Sequence, residues 1–174
     1  MRYAVAALVF VLPAAALAQG TGSLVPAEPL AGSDAALRGM VFAPYAHALA
    51  ALAGWALLMM VLMGLSVRGT PRAKTESGHP VRDYADPFYR RSRAYLNAVE
   101  TAGPFVAVTV AAILTGAPPF WVNLLASVFL VARIVMAIVH IRTENQPLRS
   151  ACFAAGFFCV MGLAALALVG AFTA

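Results

Sequence analysis

A chain of 174 residues, 62% hydrophobic and only 11% charged, lies outside the range of soluble domains, which run at about 45–50% apolar and about 25% charged. A mean hydropathy of +0.83 excludes disordered and collagen-like chains as well, and the length leaves room for one compact bundle with no separate soluble domain. The formal net charge of +5, from 12 Lys+Arg against 7 Asp+Glu, is gathered between apolar runs; it reads as an orientation signal in a membrane and not as a nucleic-acid-binding face.

The first element, residues 1–18, has the form of a signal peptide: a charge at Arg2, an apolar core, and Ala16-Leu17-Ala18 before Gln19. An uncleaved anchor helix is the alternative, but the apolar stretch is short for a span and Pro13 interrupts it. Residues 19–42 are rich in Gly, Pro, Ser and Ala without a helical stripe and read as an external linker. Residues 43–174 then hold four apolar runs: Tyr45 to Val67, Ala94 to Leu114, Phe120 to Ile141 and Ala151 to Phe172. Each is close to the ~20 residues that cross a bilayer core. The runs are continuous, not alternating, so they are helices and not barrel strands. The fold class is therefore all-α, an integral membrane four-helix bundle.

The connections differ in kind. The first, within residues 68–93, carries Arg68, Arg72, Lys74, Arg82, Arg90 and Arg91. The second, Thr115 to Pro119, has no charge, and the third carries Arg142, Glu144 and Arg149. Alternation of Lys and Arg places the first and third connections in the cytoplasm and both termini outside. A cleaved signal gives the same topology independently. Cys152 and Cys159 lie two turns apart on one helix, too far to bond, and read as packing residues. No metal-ligand cluster is evident.

The informative residues are polar ones inside the spans, since an unpaired intramembrane charge costs at least ~2.5–3.5 kcal/mol and marks function by default. Arg93, Asn97, Glu100 and Pro104 form one stripe on the second span. Arg133 and His140 share a face of the third, and Arg149 and Ser150 open the fourth. Glu100 and Arg133 sit at matching depth on adjacent antiparallel spans, which predicts a buried ion pair between them, either functional or serving only helix register. Arg93, Asn97, His140, Arg149 and Ser150 are candidates to converge at the cytoplasmic end on an anionic, peptide-like ligand.

The stretch Arg90 to Phe105, with Arg93-Ala94-Tyr95-Leu96-Asn97, Glu100 and Pro104, resembles the signature of the membrane-associated proteins in eicosanoid and glutathione metabolism, the MAPEG family. The family pattern has His where Tyr95 stands. The resemblance continues through a Gly/Pro turn before Phe120, through Val131-Ala132-Arg133, and through Pro147-Leu148-Arg149-Ser150. It implies a homotrimer that binds glutathione between protomers near the cytoplasmic face. Arg93, Asn97, Glu100, His140 and Ser150 would contact glutathione, Arg149 would be the catalytic residue that stabilises its thiolate, and Arg133 would hold Glu100. Leu96, Met136 and His140 depart from the prostaglandin and leukotriene synthases, which makes the pattern most similar to the microsomal glutathione transferases.

Two functions follow as expectations. One is a transferase or peroxidase that brings glutathione to hydrophobic electrophiles or lipid peroxides. The other is a non-catalytic membrane protein that binds lipid or serves as an accessory subunit, which the replaced Tyr95, Met136 and His140 would suit. A small transporter fits poorly, because the chain lacks paired broken helices and has a single intramembrane carboxylate. The signal form points to a bacterial inner membrane.

Overall fold

The computed structural model describes residues 28–173. The chain divides into two compact units, with the boundary after Ala36. The predicted signal peptide, residues 1–18, and the first part of the predicted linker lie outside the described residues. The remainder of that linker departs from its reading: Glu28–Phe42 is a helix, α1. Its local composition explains the difference. Glu28, Leu30, Ala31, Ala35, Ala36 and Leu37 are good helix formers, and a helix of this kind needs no apolar stripe to form locally.

The unit Leu37–Ala174 is all-helical where described. A 3-10 turn, Ala43–Tyr45, leads into α2 (Ala46–Ser66), followed by α3 (Pro87–Leu114), α4 (Pro119–Arg142) and α5 (Gln146–Thr173). Among the described residues four helical stretches are long and apolar enough to cross a membrane: Gly39–Ser66, Pro87–Leu114, Pro119–Arg142 and Gln146–Thr173. The spans are those read from hydropathy, but α3 begins seven residues before Ala94, because Asp86 caps it and Pro87 occupies its first turn. Asp86 Oδ1 accepts from Phe88 N at 2.9 Å. The apolar segment marks the part that lipid covers; the cap sets where the helix starts.

Helices α2, α3 and α4 pack on one another, and α5 packs on α3 and α4. The centre is aromatic. Phe105 of α3 and Phe129 of α4 stack at 3.8 Å between centroids, and Trp55 of α2 meets both edge-on, at 6.2 and 5.2 Å. Around this cluster the buried residues are small: Ala48, Ala51, Ala94, Ala98, Ala112 and Ala126. Small side chains let backbones approach closely, which matters in lipid because there is no hydrophobic drive between helices.

The two ends of the bundle are built differently. At one, Asn123 of α4 supplies what the start of α2 lacks: its Oδ1 accepts from Ala48 N at 2.9 Å and its Nδ2 donates to Pro44 O at 2.7 Å. Tyr45 donates to Ala117 O in the α3–α4 turn at 2.6 Å, where Gly116 takes a φ of +67° that side chains resist. At the other end the basic connection between α2 and α3 folds back on the bundle. Asp86 Oδ2 accepts from Arg72 N at 3.0 Å, Arg91 Nη2 donates to Arg68 O at 2.7 Å, and a two-residue bridge joins Lys74 to Pro80 around Gly78.

Candidate functional site

At this second end, where α3 and α5 begin and α4 finishes, a cavity of about 490 Å³ opens between the helices. That is within the ~300–1,000 Å³ of small-molecule sites. Arg93 and Asn97 reach it from successive turns of α3, and Met136 and His140 from the last turns of α4. Gln146, Arg149, Ser150 and Phe153 come from the first two turns of α5. Five of the residues singled out in the sequence, Arg93, Asn97, His140, Arg149 and Ser150, therefore share one cavity.

Glu100 does not. Its side chain is 59% exposed on the surface of the chain, and its partner is Arg93, with Nη1 3.8 Å from Oε1. The expected Glu100–Arg133 ion pair is absent, since no carboxylate lies within 4 Å of Arg133 among the described residues. Depth along a span leaves the rotation of each helix about its axis open. The α4 helix turns Arg133 into the bundle, where it is 3% exposed. Nη1 donates to Asn97 Oδ1 at 3.0 Å and reaches Met136 Sδ at 3.3 Å. Its guanidinium lies between the rings of Phe129 and Phe153, 5.2 and 5.1 Å from their centroids, two aromatic faces that attract a cation. It also rests on the α5 backbone at Gly156, where an added Cβ would sit 3.0 Å from Nε. Arg133 borders a much smaller space, which it shares with Trp55, Asn97 and His140.

The cavity carries a surplus of positive charge. Arg82, Arg93 and Arg149 line it, against one carboxylate, Glu144. Glu144 is paired with Arg90, with Nη1 3.5 Å from Oε1, and Arg93 is engaged by Glu100. Arg82 and Arg149 have no carboxylate within 4 Å among the described residues. The Arg149 Nη1 and both nitrogens of His140 are buried with no hydrogen-bond partner among the described residues. His140 is 6% exposed. Buried polar atoms are almost always paired, so unpaired ones on residues that line the cavity mark it as a candidate binding site.

Arg82, Tyr84, Glu144, Gln146 and Phe153 were not singled out in the sequence. Arg82 and Tyr84 belong to the long basic connection, whose positive charges are fully explained there by membrane orientation. A tyrosine three residues before a helix start was the one available signal. Tyr84 lays its ring 4.3 Å from the Arg149 Cζ and meets Tyr89 edge-on at 5.1 Å. Among the described residues no group of three His, Cys, Asp or Glu is placed to hold a metal. Guanidinium groups, an amide, a hydroxyl and an imidazole around a half-open cavity can bind carboxylates and peptide groups and can stabilise an anion on a ligand.

Comparison with known proteins agrees on one point. The family model for the MAPEG family matches residues 45–169, which takes in the second and third spans whole, most of the first and fourth, and every cavity residue named above. No curated protein matches the chain.

Proposed function

From the premise that this chain belongs to the MAPEG family, membrane proteins of glutathione and eicosanoid metabolism, we propose that it is a glutathione-dependent transferase or peroxidase acting on hydrophobic electrophiles or lipid peroxides, on the microsomal glutathione transferase side of the family. The observation that carries the reading is Arg149. Arg149 lines the cavity, with Nη1 buried and without a hydrogen-bond partner among the described residues.

Glutathione brings two carboxylates, two peptide groups and a thiol. Arg82 and Arg93 suit the carboxylates, with the planar two-point geometry that guanidinium offers. Asn97, whose oxygen is held by Arg133, is left with its amide nitrogen as a donor to a peptide carbonyl. Ser150 and His140 complete the polar wall. An unperturbed thiol is only a few per cent ionised at neutral pH, and a fixed cation beside the sulfur raises that fraction. Arg149 supplies the cation without being able to lose it. The thiol proton leaves to water; the sulfur lone pair then forms a C–S bond to the electrophilic carbon as the leaving group departs with its electron pair. With a lipid peroxide, two glutathiones are oxidised to the disulfide while the peroxide gives an alcohol and water. The hydrophobic substrate reaches the sulfur from the lipid side.

The proposal extends to assembly and placement. The working form is a homotrimer, in which exposed Glu100 faces a neighbouring copy and joins its glutathione contacts. The cavity end faces the cytoplasm of a bacterial inner membrane, with both termini external, and residues 1–18 are removed as a signal peptide.

Detergent-purified protein is expected to be stabilised against heat by glutathione and to conjugate it to a generic aromatic electrophile. Arg149→Ala is expected to lower that rate about 100-fold, the scale of losing one preorganised charge-stabilising group, with the fold intact. Arg142→Ala, exposed and off the cavity, is expected to stay near wild type. If the wild type neither binds glutathione nor develops thiolate absorbance, the enzyme reading falls and the lipid-binding or accessory role replaces it.

A further inference from the structure

The basic connection between α2 and α3 does more than bear charge, and the placement of Arg149 shows why. Arg149 lies in the first turn of α5, the end of a helix where the backbone dipole disfavours a cation. No carboxylate lies within 4 Å of it among the described residues. Nη1 has no hydrogen-bond partner among the described residues. What holds the guanidinium is the face of Tyr84, 4.3 Å away, a distance at which the ring's negative face attracts a cation.

Tyr84 is itself fixed. Its carbonyl oxygen accepts from Arg90 Nη1 at 2.6 Å. Arg90 Nε donates to Ile141 O at 3.1 Å, and the same guanidinium pairs with Glu144. One arginine in the first turn of α3 thus ties the connection to the end of α4. The Tyr84 ring is wedged against Tyr89 and lies 6.1 Å from the His140 ring.

We propose that Tyr84 is a positioning residue for the thiolate: stacked on Arg149 and locked by Arg90, it holds the guanidinium against the ligand sulfur while leaving its hydrogen-bonding edge free. This rests on the glutathione reading above. A carboxylate partner in the same place would neutralise Arg149 and compete with the thiolate for its N–H groups; an aromatic face restrains the group without occupying them.

The test compares wild type, Tyr84→Phe, Tyr84→Leu and Arg90→Lys, each purified in detergent, by calorimetric titration with glutathione and by thiolate absorbance of bound glutathione against pH. Tyr84→Phe keeps the face and is expected to match wild type. Tyr84→Leu is expected to raise the pH midpoint of thiolate formation by about one unit, a tenfold loss of thiolate. Arg90→Lys cannot bridge the same acceptors and is expected to shift the midpoint in the same direction with Tyr84 intact. If wild type binds and ionises glutathione and neither Tyr84→Leu nor Arg90→Lys moves the midpoint, the positioning role is overturned while the enzyme reading stands. An equal shift in Tyr84→Phe overturns it too, because the hydroxyl and not the ring face would be responsible. If wild type does not bind glutathione, both fall together.

Discussion

Arg133 shows how a charge is kept inside a lipid-embedded bundle with no carboxylate within 4 Å among the described residues. One neutral amide, one thioether and two aromatic faces surround it. Each interaction is modest, and the amide is the only strong acceptor among them. The costs of substitution follow. Asn97→Leu removes the acceptor and leaves Nη1 buried against sulfur and ring, and is expected to destabilise the protein by about 2–3 kcal/mol. Glu100→Gln breaks only an exposed 3.8 Å pair with Arg93, and is expected to change protomer stability by less than about 1 kcal/mol. Denaturation in detergent, followed by far-UV circular dichroism, ranks the two. The reverse order would mean that Glu100, and not Asn97, supports Arg133 in the working protein.

At the scale of elements, Asp86 is the joint between the basic connection and α3. One carboxylate oxygen caps the helix and the other takes the Arg72 backbone N–H. The Arg72 backbone bond does most to hold its pKa below the ordinary carboxylate value, with the Phe88 bond and the charges of Arg72 and Arg91 adding to it against the opposing effect of burial. A carboxyl whose folded pKa is depressed binds fewer protons folded than unfolded. Its contribution is fully present above the ordinary value of ~3.9 and is lost as pH falls through the lowered folded value. The thermal midpoint of wild type is therefore expected to drop on acidification below about pH 4 more steeply than that of Asp86→Asn. At neutral pH, Asp86→Ala is expected to cost about 1–2 kcal/mol as a lost cap. Because the same residue anchors the connection that presents Tyr84, thiolate formation is expected to weaken with it. Parallel melts of the three proteins between pH 7 and pH 3 would check the sign, and a flat wild-type curve would remove Asp86 from the account.

At the scale of the whole molecule, the surface of the single chain points to a partner. Glu100 sits within a membrane span and is more than half exposed. A carboxylate facing hydrocarbon is costly, and such groups almost always face a bundle interior or a water-filled space. The trimer proposed above gives it one. Native mass spectrometry from detergent is expected to show three copies, and a monomer or dimer would count decisively against that assembly. Orientation is checked on intact cells: a cysteine placed at Ser77, in the basic connection, is expected to resist an impermeant thiol reagent, while one at Thr173 is expected to react.

Composition and pattern alone determined that the chain crosses a membrane as four helices, where each apolar run lies, and which polar residues interrupt them. These follow from transfer free energies that add residue by residue along a segment, and the charge-bearing connections follow from the same local accounting. The convergence of Arg93, Asn97, His140, Arg149 and Ser150 was also legible, because helical periodicity and antiparallel neighbours bring them to one end. Periodicity did not reveal α1, since a linker-like segment with scattered helix formers has no stripe to announce it. Tertiary structure alone decided which partner Arg133 takes, because depth is set by hydropathy whereas rotation about the helix axis is set by packing on neighbouring helices, here Asn97 of α3 and Phe153 and Gly156 of α5. It also decided that Arg82 and Tyr84 join the cavity. The path of a twenty-residue connection depends on a few long-range contacts made by Arg90, Arg91 and Asp86, and no periodicity encodes them.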